Sequence, residues 1–167
     1  MMAKTEERGF ALAELLVVIA VLGIIAAIAI PSFLSYLQAA QTRGAAQEVA
    51  TILNQARQLA ITRNQSVCVH PTGVGSPQIH FHLVSCAGAV WTGPGTDGGG
   101  NITLSNNVSF TAVAQITFSS LGAATFGGCV APCRLRVQNQ AATSTMDVVV
   151  NLTGRVRITC SDVVTCP

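Results

Sequence analysis

The sequence predicts an α+β chain. One long N-terminal helix, membrane-crossing in its first half and amphipathic in its second, packs on an antiparallel β-sheet head to give a lollipop shape. Three observations predict it. Phe10 to Ile30 is apolar throughout except for Glu14. From Leu34 to Ala60, apolar residues recur at helical spacing. After Asn64 the composition shifts to Val, Thr, Ser and Gly in short runs broken by Gly and Pro; a long helix followed only by strands indicates α+β. No internal repeat is visible.

The first stretch, Gly9–Pro31, reads GFALAELLVVIAVLGIIAAIAIP. Phe10 to Ile30, at about 1.5 Å per residue, makes a helix of roughly 30 Å, enough to cross a bilayer core. An acid inside such a segment is expensive in lipid, which marks Glu14 as a functional residue. Lys4, Glu6, Glu7 and Arg8 precede the run, and Gly9 meets Phe10 at the junction. In an ordinary secretory signal the small-residue cleavage site comes after the apolar core, so the core is removed. Here the small residue comes first, and cleavage after Gly9 leaves the helix on the mature chain. Pro31 lacks an N–H and should bend the helix or loosen its hydrogen bonds.

Beyond Pro31, Leu34, Leu37, Ala45, Val49, Ile52, Leu53, Ala56, Leu59 and Ala60 form the apolar stripe, against polar Gln38, Arg43, Gln47, Glu48, Gln55 and Gln58. One helix is expected from about Phe10 to Ile61. Strands are expected at Ser66–His70, Gln78–Val84, Ile102–Leu104, Val108–Ala114, Ile116–Ser119, Arg134–Asn139, Met146–Leu152 and Arg155–Cys160, with a tight hairpin at Thr153-Gly154. The chain thus divides into 1–9, a leader; 10–31, an apolar helix; 32–63, its amphipathic continuation; and 64–167, a β-rich head.

Charge is sparse: 9 basic against 7 acidic side chains, net +2. So weak a balance does not point to nucleic acid globally, and any such claim must rest on local clustering. Cys68, Cys86, Cys129, Cys133, Cys160 and Cys166 all lie beyond the apolar helix. An even number in an exported head suggests disulfides, although six thiols allow 15 full pairings. The sequence-local pairing is Cys68–Cys86, Cys129–Cys133 and Cys160–Cys166, with free thiols or zinc as competitors. Zinc fits poorly, because Cys129 and Cys133 lack a second ligand pair of suitable spacing.

The charged leader, the Gly9–Phe10 junction, Glu14, the helix length and Pro31 fall in one register that resembles the type IV prepilin family. The resemblance implies cleavage between Gly9 and Phe10 by a prepilin peptidase and N-methylation of Phe10. It also implies that Glu14 pairs with a neighbouring subunit's N-terminal amine during assembly. Ala11 and Ala13 depart from the family's usual residues, making a less typical major subunit. The implied location is the bacterial inner membrane, single-pass with the head in the periplasm, and then a pilus or pseudopilus built with other pilin or pseudopilin subunits.

Leu53–Val69, LNQARQLAITRNQSVCV, narrows the resemblance to FimT/GspH-type minor pilins and pseudopilins. Trp91-Thr-Gly, Ile116–Gly122 and Gly154-Arg155-Val156-Arg157 look like the same branch. In FimT-type minor pilins of natural transformation, a GRxR motif near the C-terminus is implicated in DNA binding; Gly154, Arg155 and Arg157 stand at its fixed positions. Residues two apart on a strand point to one face, so these guanidiniums lie about 7 Å apart and suit neighbouring phosphates. Arg134 and Arg136 repeat the spacing on another strand, and the four form one patch if the strands are neighbours. With no accompanying stacking aromatics, the mode is backbone contact without sequence reading. The ordinary alternative is an outward face solvated by Arg, and secretion pseudopilins carry similar Gly-Arg endings.

His80 and His82 share one face of a strand, a two-ligand arrangement needing His70 or a thiol as a third. An exposed strand face is the plain explanation, and no metal is expected. The glycines of Thr92–Asn101 fit no strand-to-helix pattern, so they are loop rather than phosphate cradle. Neither a catalytic set nor a cofactor motif is visible, and the chain is not expected to be an enzyme. Two functions remain: a minor type IV pilin binding DNA for uptake, or a structural pseudopilin of type II secretion.

Overall fold

The computed structural model describes residues 12–160. The leader, the Gly9–Phe10 junction and Cys166 lie outside the described residues. Two compact units divide the chain, one ending at Leu37 and one beginning at Gln38.

The first unit is helical. Helix α1 (Leu12–Thr62) contains Glu14 in its first turn and runs through Pro31 without interruption. None of residues 12–37 is buried; Leu12, Leu15, Ile24 and Ile28 are each more than half exposed. A continuous apolar surface of this size belongs against lipid or other subunits rather than water, and the helix is long and apolar enough to cross a membrane.

In the second unit, α1 continues from Gln38 and buries Thr42, Ala45, Ala46, Val49, Ile52, Leu53, Ala56 and Ala60. Their spacing of three and four residues makes a single stripe, and its four alanines let the strands approach closely. The apolar periodicity marks most of this stripe, but Leu34 and Leu37 are exposed. The helix stops at Asn64, whose φ of 50° is left-handed. There Gln65 N–H donates to Ala60 O (3.2 Å) and Asn64 N–H to Ile61 O (3.2 Å), the paired bonds of a Schellman cap.

The head's strands are β1 (Val67–Pro71), β2 (Gln78–Leu83), β3 (Asn101–Thr103), β4 (Val108–Phe110), β5 (Gln115–Phe118), β6 (Ala124–Gly127), β7 (Cys133–Asn139), β8 (Thr145–Val150) and β9 (Val156–Cys160). They form two antiparallel sheets, of order β3-β2-β1-β5-β6 and β4-β7-β8-β9. Alternation sets their faces. On β7, Cys133, Leu135, Val137 and Asn139 are buried, while Arg134, Arg136 and Gln138 between them are not. Residues of both sheets and of α1 form one core, including Leu53, Phe81, Phe110, Phe118, Ile116, Leu135 and Val148. Truncating any of the three phenylalanines, all fully buried, would cost about 3–5 kcal/mol. Strand β6 is absent from the sequence expectation because Ala-Thr-Phe-Gly is short and flanked by small residues. Its pairing with β5 forms it.

Disulfides join Cys68 to Cys86 and Cys129 to Cys133. Cys160 is disulfide-bonded too. In the loop between β2 and β3, Asp97 Oδ1 accepts from Gly99 N–H (2.9 Å) and Asn101 N–H (2.8 Å). Hydrogen bonds from the Asn101 side chain, then its backbone, hold the Asp97 carboxyl below its ordinary value. This glycine-rich loop is therefore braced on its own acid.

Candidate nucleic-acid interface

Residues 151–155 join β8 to β9, and the hydrogen-bonded pair Asn151–Arg155 encloses three residues, 152–154, rather than the two-residue turn expected at Thr153-Gly154. Gly154 N–H donates to Asn151 O (2.8 Å) and Asn151 N–H to Arg155 O (3.1 Å). Gly154 has φ +74°, the left-handed residue that closes such a loop so the strands stay in register. A Cβ at Gly154 would lie 1.9 Å from Gly122 O and 3.1 Å from Arg57 Nε. Arg57 Nε–H itself donates to Gly122 O at 3.0 Å, and Ala124 N–H donates to Leu152 O at 2.9 Å. Helix α1, the β5–β6 turn and the β8–β9 turn thus meet at one carbonyl. Gly154, read from the sequence as part of a DNA-binding motif, is a packing residue that sets the course of β9.

Arg155 immediately precedes that strand and Arg157 lies within it. Val156 between them packs against the core, so both guanidiniums lie on the outward face. Both residues are exposed, and neither has an ion pair among the described residues. Arg157 is directly opposite Val149, which is directly opposite Arg134. Arg134 and Arg157 therefore share the outward face, two interstrand spacings or roughly 10 Å apart.

The expected patch of four arginines needs correction. Strand β8 lies between β7 and β9, so the two arginine pairs are not on adjacent strands. Strand β8 also brings Asp147, whose side chain is fully buried. Arg136 grips it with two bonds, Nε to Oδ1 at 2.8 Å and Nη2 to Oδ2 at 3.0 Å. Arg134 Nη1 lies 3.8 Å from the same carboxylate. A buried carboxylate left unpaired is costly, and the planar fork of Arg136 matches it. Arg136 is thereby committed to the fold, Arg134 shares its charge with the same acid, and Arg155 and Arg157 remain as the pair turned outward.

Arg57 and Gly122 carry no functional expectation in the sequence, although both fall in segments that shaped the family resemblance. The signal available was that an Arg beside the stripe residues Leu53, Ala56 and Ala60 needs an acceptor. The three histidines lie on the other sheet. Burial, and then neighbouring His82, push the His80 pKa below that of an ordinary histidine, while the nearby Gly99 backbone and Asp97 act the other way.

A long N-terminal helix with an acid in its first turn, its distal part covered by antiparallel sheets, defines the pilin-like class of filament subunits. Residues 45–154 match the family described as Type II transport protein GspH, and residues 4–30 match the prokaryotic N-terminal methylation motif. The chain belongs to the GspH family and is a minor pilin or pseudopilin. In fold it is similar to the minor pseudopilin EpsH from the type 2 secretion system of Vibrio cholerae, with a TM-score of 0.53 and 16% identity over 72% of this chain and 97% of that one. It also matches the type IV minor pilin FimU of Pseudomonas aeruginosa, with a TM-score of 0.49 and 14% identity over 70% of this chain and 91% of that one. No curated protein sequence matches the chain.

Proposed function

We propose that this chain is a minor type IV pilin whose Arg155 and Arg157 bind the backbone of DNA for uptake in natural transformation. In this reading a prepilin peptidase cuts between Gly9 and Phe10, Phe10 is methylated, and α1 anchors the subunit in the inner membrane with residues 64–167 in the periplasm. Glu14 then pairs with a neighbour's terminal amine as the subunit enters the filament. The observation that carries the DNA contact is the outward Arg155–Arg157 pair, held by the closed Gly154 turn and without an ion pair among the described residues. Two guanidiniums at strand spacing bind phosphates and read no bases.

The test is retardation of DNA by the full chain in detergent. Arg155→Ala with Arg157→Ala should weaken binding equally for all sequences, and the salt slope should fall by about 0.9 per lost phosphate contact. Parent-level binding by the double variant would refute the assignment. The match to the GspH family supports a second reading, a structural pseudopilin of type II secretion. Under it the chain ignores DNA, and deleting it blocks protein export rather than transformation.

A further inference from the structure

The pairing of β1 with β2 assembles a cluster that spacing along either strand does not. His70 stands directly opposite His80, and His82, two residues further along β2, is on the same face. Ring centroids are 4.2 Å apart for His80–His82, 5.3 Å for His70–His82 and 5.7 Å for His70–His80. One ring nitrogen of each lies within 4.8 Å of those of the other two.

Hydrogen bonds prepare two of the rings. His70 Nδ1–H donates to Pro71 O at 2.9 Å and His82 Nδ1–H to Gly88 O at 3.0 Å. A carbonyl only accepts, so the proton sits on Nδ1 and each Nε2 carries a lone pair. His80 Nε2 is buried with no hydrogen-bond partner among the described residues. A buried polar atom without a partner calls for one. Imidazoles fixed through one nitrogen by a backbone carbonyl, with the other left to coordinate, are the arrangement of histidine metal ligands.

We propose that His70, His80 and His82 bind a divalent transition metal, with Zn²⁺ as the fitting ion. Neighbouring Cys68 and Cys86 are joined to each other, so the donor set is imidazole, which suits zinc. Tetrahedral zinc with bonds near 2.0 Å holds its ligand nitrogens about 3.4 Å apart, within reach of small ring rotations, and three histidines leave a fourth position for water or another side chain. Because His82 is bonded to Gly88, the metal also fastens the segment after β2 to the sheet.

The test uses the full chain without an affinity tag, in detergent and stripped of metal. Equilibrium dialysis should find one Zn²⁺ per chain, and zinc should raise the unfolding temperature. His80→Gln should weaken binding at least about tenfold, and the triple variant His70→Gln, His80→Gln, His82→Gln should abolish it. Co²⁺ bound to the parent should show the visible absorption of a tetrahedral site, which needs no variant to fold. A parent that takes up no stoichiometric zinc, an octahedral cobalt spectrum, or a triple variant that binds as the parent does would each overturn the proposal.

Discussion

Glu14→Ala is expected to give a chain that inserts in the membrane and is processed, yet is lost from filaments. Glu14 sits in the first turn of α1 among exposed Leu12, Leu15 and Leu16. In lipid, an acid is disfavoured by about 2.5–3.5 kcal/mol at the bilayer centre and by less toward a helix end, where Glu14 lies. In the proposed assembly a neighbour's amine relieves that penalty, so the same acid that makes the lone subunit uncomfortable would favour the filament. Alanine removes both effects. It makes the solitary helix more content in lipid and deletes the contact proposed for the filament. Loss of about 2 kcal/mol corresponds to roughly a thirtyfold fall in incorporation. Immunoblots of sheared filaments against membranes measure this ratio; undiminished incorporation of Glu14→Ala would remove the role given to the acid.

The second large effect is expected at Gly154. Two penalties combine in Gly154→Ala: a left-handed φ of +74°, and a Cβ placed 1.9 Å from the Gly122 carbonyl that Arg57 also holds. Gly95 separates the two, since its φ is +86° but nothing lies within 4 Å of an added Cβ. Gly95→Ala should therefore cost only about 1–2 kcal/mol for the backbone conformation. Gly154→Ala should cost about 4 kcal/mol, because the turn must shift and the Arg57 bond is strained as well. Denaturant unfolding of the full chain in detergent reads both. Equal losses at the two glycines would mean that the crowding at Gly122 is absorbed without strain.

The sequence shows the fold well where a single local pattern governs it. The apolar run, the amphipathic stripe and the shift in composition after Asn64 each declare themselves through neighbours in the chain. The division of the strands into two sheets does not, because alternation on β5 or β7 records which side is buried and not which strand lies alongside. The same limit governs the site. That Arg155 and Arg157, at alternate positions, share a face is a matter of strand geometry alone. That Arg136 is committed to Asp147 depends on the β7–β8 register, which places the two residues directly opposite. His70 joins His80 and His82 through the β1–β2 register in the same way. Gly154 appeared in the sequence as a motif position, and only the approach of the Gly122 carbonyl reveals why no side chain fits there.

The most direct test of the account is the intact mass of this subunit recovered from filaments or pseudopilus preparations. The expected mass is that of a chain beginning at Phe10 with a methylated amine and the whole apolar helix still attached. A mass starting at any other residue, or one lacking α1, would contradict the reading of this protein as a filament subunit.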